Sequence, residues 1–111
     1  MIEKIVLDYL NDALGVKVCM EEEENMPQEY VLVEKTGSGK ENHIFDATIV
    51  VQSFSDTMYH AAMLNEKVKA AMENIVVLDD ITRCDLNTDY NYTDTSRKKY
   101  RYQAVFDITH Y

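Results

Sequence analysis

Basic residues are scarce in this chain. Lys and Arg number 11 against 20 Asp and Glu, which leaves a net charge of −9 over 111 residues. A field of that sign repels phosphates and anionic lipid headgroups, so the balance argues against a protein held to nucleic acid by phosphate contacts or docked on an anionic membrane. Long hydrophobic runs are missing too, and nothing approaches the ~18 apolar residues that a membrane span needs. The opening residues carry Glu3, Lys4 and Asp8 among apolar ones and do not read as a secretory signal. There are two cysteines, Cys19 and Cys84, far apart and without the spacing of a metal site. They read as reduced, partly buried thiols in a reducing cytoplasm, with a disulfide open only if the strands carrying them are neighbours. One proline and three glycines leave no linker, low-complexity segment or repeat, so residues 1–111 read as a single domain.

What is present is enough apolar material for a core: 46% of the chain is hydrophobic, including eight Tyr and three Phe. Residues 1–14 repeat apolar side chains at three- and four-residue steps (Ile2, Ile5, Val6, Tyr9, Leu10, Ala13, Leu14), which predicts an amphipathic helix capped by Gly15. Val16, Val18 and Met20 alternate with Lys17 and Cys19 as a short strand, followed by the acidic turn Glu21–Glu24. Residues 30–35 and 45–54 read as two strands of a hairpin, the second apolar on both faces at Ile49–Val51 and therefore central. Gly37, Ser38 and Gly39 are expected at the hairpin's tip, in a loop over residues 37–44.

Ser55 or Asp56 can cap a helix over residues 57–74, whose buried stripe runs through Met58, Ala61, Ala62, Leu64, Val68, Ala71, Met72 and Ile75. Residues 76–78 are expected as a brief extended segment, and residues 81–92 and 99–109 as strands joined by a turn at Asp94, Thr95 and Ser96. The order helix, three strands, helix, two strands predicts an α+β fold. It has two layers, a mostly antiparallel sheet with both helices packed on one face.

Motifs with chemistry are few. Gly37-Ser38-Gly39-Lys40 has too few residues between its glycines for a phosphate loop, no Ser or Thr after the lysine, and a strand where a helix should follow. His43, His60 and His110 are isolated, and neither a metal nor a cofactor is expected. The aspartates at 79, 80, 85, 89 and 94 lack the spacing of a calcium loop, no nucleophile sits beside a base, and no catalytic residue is assigned. Four of the 11 basic residues fall in Arg97, Lys98, Lys99 and Arg101, beside Tyr100 and Tyr102. Given the overall charge, this segment reads as a strand that pairs with an acidic neighbour, in cis or in a partner, rather than as a nucleic-acid platform. Basic and acidic clusters on separate patches would suit head-to-tail contacts between copies.

The segments MIEKIVLDYLNDALG, MPQEYVLVEKTGSG, ATIVVQSFSDT flowing into HAAMLNEKVKAAM, the Tyr-rich DDITRCDLNTDYNYTD and the terminal YRYQAVFDITHY together resemble a known family. It is that of the small tail terminator and tail completion (head–tail joining) proteins of long-tailed bacteriophages and prophages. The resemblance rests on order, length and texture and covers most of the chain. It implies a non-enzymatic α+β protein of the virion, assembled in the bacterial cytoplasm. Such a protein forms a homo-oligomeric ring, a hexamer, that ends the tail tube, meets the tail tube protein and the head connector protein, and lets DNA pass through its lumen without specific binding.

The resemblance supplies regions and no individual positions. Loops are where a rigid sheet presents contacts, so the interface residues expected on physical grounds are Ser38, Lys40, Glu41 and Asn42, together with Arg97, Lys98, Lys99 and Arg101. The alternatives are a small monomeric or dimeric protein-binding or regulatory module from a mobile element, and an enzyme whose site would show as a deep pocket with convergent polar groups.

Overall fold

The computed structural model describes residues 1–111. Helix α1 spans Ile2–Leu14 and ends at Gly15, whose φ of 70° is the left-handed cap that a residue with a Cβ takes at a cost. It is followed by a short strand β1 (Lys17–Cys19), a long hairpin of β2 (Tyr30–Glu41) and β3 (Ile44–Ser55), helix α2 (Met58–Glu73), a 3₁₀ turn at Ile75–Val77, and a second hairpin of β4 (Ile81–Asn91) and β5 (Tyr100–His110). The sheet order is β1-β2-β3-β5-β4, with β1 parallel to β2 and every other pair antiparallel. β3 is the middle strand, as its apolar centre demands. The fold is α+β.

Both helices lie on the same face of the sheet and close one core over it. α1 contributes Ile2, Val6 and Leu10, α2 contributes Ala61, Leu64, Val68 and Met72, and the sheet contributes Val31, Val33, Ile49, Val51, Ala104, Phe106 and Ile108. The Tyr9 hydroxyl donates to the Ala71 carbonyl at 2.7 Å and ties the two helices together. Asn65, 1% exposed, sits inside the α2 stripe, and its amide nitrogen donates to Asp89 on β4 at 2.9 Å. Lys69 reaches the same carboxylate oxygen at 3.0 Å, so α2 is clasped to the sheet's edge through one aspartate.

Several expectations need correction. The cap of α2 is Thr57, whose hydroxyl accepts the His60 N–H at 3.1 Å. Asp56 holds the His60 ring instead, at 2.8 Å, and Ser55 turns toward Glu29. Met58 is exposed rather than part of the buried stripe. The chain between α2 and β4 is not extended. It must reverse direction within a few residues, and Val77 and Leu78 do so by donating to the carbonyls of Asn74 and Ile75.

The hairpin tip is also displaced. Pairing of β2 with β3 runs on through Gly37–Thr48, Gly39–Asp46 and Glu41–Ile44, with a bulge between Lys35 and Gly37. The turn is the two residues Asn42 and His43, at φ 51° and 67°, as a right-twisted two-residue hairpin requires. Neither Gly37 nor Gly39 has a positive φ.

Cys19 lies on β1 and Cys84 on β4, the opposite edges of the sheet, and both are free thiols. No disulfide joins them. No helix is long and apolar enough to cross a membrane.

Candidate functional site

The two groups of candidate interface residues sit at opposite ends of a molecule 45 Å long. At one end, Ser38, Lys40 and Glu41 belong to β2 rather than to a loop, and only Asn42 is in the turn. Their alternation sends Ser38 and Lys40 toward the helix side and Glu41 to the other. The Lys40 ammonium lies 5.3 Å from the centre of the Phe45 ring, which in turn stacks on His110. These residues, with Met1, Glu3 and Lys35, border an open cavity of about 650 Å³ at the start of α1.

At the other end, the β4–β5 connection is shaped by Asp94. Its carboxylate accepts from the Ser96 hydroxyl at 2.7 Å and the Ser96 N–H at 3.1 Å, and these bonds hold it below the usual carboxylate range. Arg97 comes within 3.6 Å of the same group, and Lys98 takes a φ of 54° at the tip.

Lys99 bonds to Glu22 at 3.0 Å, and Lys17 bonds to Glu23 at the same distance. The acidic run Glu21–Glu24 is therefore the neighbour of the basic segment, in the same chain. This corrects the expectation of separate charged patches, and a head-to-tail contact cannot be argued from those two clusters. The Tyr30 hydroxyl also donates to Glu22 at 2.7 Å. The two bonds push the Glu22 carboxyl down, while burial and this same carboxylate push the Tyr30 phenol up.

Arg101 is a member of a stacked array. Its guanidinium lies 4.3 Å from the centre of the Tyr92 ring and 5.5 Å from that of Phe54, and Phe54 stacks on Tyr30 at 4.6 Å. Arg101 Nε donates to the Tyr92 carbonyl at 2.7 Å. The aromatic partners come from β2, β3 and the start of the β4–β5 connection, so only the sheet order assembles them. A run of aromatics in 90–102 signals stacking, but nothing local reveals Phe54 or Tyr30 as its floor.

This array forms one end of the sheet face opposite the helices. Cross-strand register orders that face into rows. Tyr30, Phe54 and Arg101 form the first, and Leu32, Gln52, Gln103 and Tyr90 the second. In the second, Gln52 donates to Gln103 at 2.9 Å and the Gln103 amide donates to the Tyr90 hydroxyl. The middle row is Glu34, Val50, Val105 and Thr88. Beyond it lie Gly37, Thr48, Asp107 and Asp85, then Gly39, Asp46, Thr109 and Arg83, around an open trough of about 510 Å³. The strands bring no carboxylate to the first two rows, whereas the others carry Glu34, Asp107, Asp85 and Asp46 together with Arg83, which bonds to Asp85.

No protein-family model matches this chain, and no curated protein matches it at a significant level.

Proposed function

We propose that this is a structural phage or prophage assembly protein, acting as a ring of copies that ends the tail tube and joins it to the head connector. The observation that carries the reading is mechanical. Two unlike, solvent-exposed ends, the Asn42–His43 turn with Lys40 and Glu41, and the Arg97–Lys98 turn, are fixed on one continuous sheet of 11- and 12-residue strands. A contact that repeats head to tail needs two different surfaces at a set distance and angle on one rigid body. The sheet provides both. Its strands are long compared with the usual five or six residues, which is unneeded for a core of this size but suits a spacer.

Charge shapes the assembly. Six copies at −9 each carry −54, a collar that leaves DNA free to slide through its lumen and that salt must screen before copies approach. The Glu22–Lys99 pair within one chain instead favours the second reading, a monomeric or dimeric protein-binding module, because it occupies the basic segment without a partner. Native mass spectrometry and negative-stain microscopy, with and without the tail tube protein, separate the two. A closed ring of copies that tightens at moderate salt supports the assembly role. A protein that stays free of rings at high micromolar concentration in both conditions rejects it.

A further inference from the structure

β1 pairs with β2 over Tyr30–Leu32 alone, so the rest of β2, Val33–Glu41, has β3 on one side and no strand on the other. No other backbone segment bonds to that outer side, and every residue from Glu34 onward is exposed. Every second residue there turns an unpaired N–H and C=O outward. We propose that this edge takes one extended segment of another protein as a further strand, in line with β1, and selects a segment whose charges are the inverse of its own. The contact needs one chain and one segment, and it holds whether or not copies form a ring.

The selection follows from the order of side chains. Thr36 is the extra residue of the bulge between Lys35 and Gly37, and it drops out of the alternation. What remains reads Glu34, Lys35, Gly37, Ser38, Gly39, Lys40, Glu41, the same in both directions. Lys35, Ser38 and Lys40 point to the helix side, and Glu34, Gly37, Gly39 and Glu41 to the other. A second copy laid antiparallel about Ser38, the register of fullest overlap, would set Glu34 against Glu41 and Lys35 against Lys40, like charge on like. A foreign segment with Glu on the helix side and Lys on the other meets an opposite charge at each of these positions. The symmetry of the edge lets such a segment run in either direction.

The glycines fix the middle of the segment. A Cβ at Gly37 would meet only the Thr48 hydroxyl, at 3.9 Å, and one at Gly39 would meet nothing within 4 Å. Their neighbours on β3 are Thr48 and Asp46, so no ring of this chain covers either gap. Glycine inside a strand marks a place of close approach, and an aromatic ring on the adjacent strand covers such a gap. Two aromatic residues, one beside each glycine, suit the added strand. On the helix side the edge borders the cavity of about 650 Å³ at the start of α1. There Glu3 keeps one carboxylate oxygen buried without a hydrogen-bond partner, while Lys35 stands 3.7 Å from the other. A shielded acceptor calls for a donor, and an amide side chain opposite Ser38 supplies one.

The opposite rim, β4, offers no such site, because two bulges break it up. β2 has one bulge, and Gly37–Glu41 runs on from it to the turn without a break. That bulge bends the edge away from an indifferent straight strand, so the side-chain match decides what adds. Main-chain bonds then supply the affinity and the alternating side chains the specificity.

The test uses the whole chain and a heptapeptide with blocked ends, Lys-Glu-Tyr-Gln-Tyr-Glu-Lys. Titration calorimetry should show saturable one-to-one binding with a Kd below about 1 mM. Hydrogen exchange by NMR should slow at alternate amides of Gly37–Glu41 and at none in β4. Two further peptides carry N-methyl groups on the odd or on the even residues. One should bind as the parent does and the other at least roughly tenfold more weakly, because only one set of amides faces β2. Lys40→Glu, an exposed position whose folding circular dichroism verifies, should weaken binding about fivefold, and so should exchanging Lys and Glu throughout the peptide. Absent binding, N-methylated peptides that bind alike, indifference to either charge change, or slowed amides in β4 would each overturn the inference. So would paired copies in sedimentation with the amides of Gly37–Glu41 already slowed, since a second copy then holds the edge. Rings without peptide binding refute it and leave the assembly role intact. Peptide binding without rings does the reverse.

Discussion

Replacing His43 with glycine should stabilise the protein, and replacing Gly39 with alanine should not harm it. His43 holds a φ of 67°, where a Cβ crowds the following carbonyl. Relief of that crowding is worth roughly 1–2 kcal/mol, and the extra freedom of glycine in the unfolded chain takes back about 0.5–1 kcal/mol. A net gain of about 0.5–1 kcal/mol remains. Gly39 is extended and open to solvent, so alanine there removes unfolded-state freedom without a clash and gains about 0.5–1 kcal/mol. His43→Val, with a branched chain in the left-handed region, should lose about 1–2 kcal/mol. Urea unfolding at low protein concentration reads all three. With a slope of about 1.5 kcal/mol per molar, the midpoints shift by roughly +0.5, +0.5 and −1 M. A turn centred on Gly37–Gly39 gives the opposite pattern, with Gly39→Ala costly and His43→Val harmless. That result would refute the register on which both ends of the open face are placed.

Three further outcomes are expected. Tyr9→Phe removes the hydroxyl that links α1 to the Ala71 carbonyl and should cost about 1 kcal/mol by denaturant unfolding. Asp89→Ala leaves the buried Asn65 amide with neither group bonded, since its oxygen already lacks a partner, and should cost about 2–3 kcal/mol by the same measurement. Burial pushes the Cys84 thiol up to about 11, from an ordinary value near 9. The folded state then holds a proton that the unfolded chain releases, so this stabilisation is complete below pH 9 and is lost as pH rises through 11. Melting temperatures recorded from pH 8 to pH 11 should fall less steeply for Cys84→Val than for the wild type, and equal slopes would show that Cys84 carries none of the effect.

The helices and most strands were legible because their signals are local. The three- and four-residue spacing of Ile2, Val6 and Leu10 marks a helix whatever it packs on, and Ile49–Val51, apolar on both faces, marks a central strand. The hairpin tip was not legible, since glycine signals turns more strongly than Asn-His does. Gly37 and Gly39 nevertheless lie in extended strand, held there by pairing with Thr48 and Asp46. Asn65 escaped notice as a polar residue, yet its place four residues after Ala61 and three before Val68 puts it on the buried stripe. The meeting of Glu22 with Lys99, 77 residues apart, depends on where β1 and β5 fall in the sheet, and no local pattern carries that. The candidate interface residues were readable as charged and loop-like, whereas the floor beneath Arg101 was not.

The outer rim of β4 is interrupted twice, between Ile81 and Arg83 and again between Leu86 and Thr88. Each break throws the backbone amides out of step with any straight strand laid alongside. Strand addition along β4 is opposed in this way, and the charge of −9 keeps chains further apart. The rim thus opposes the commonest route by which an open sheet grows without a stop.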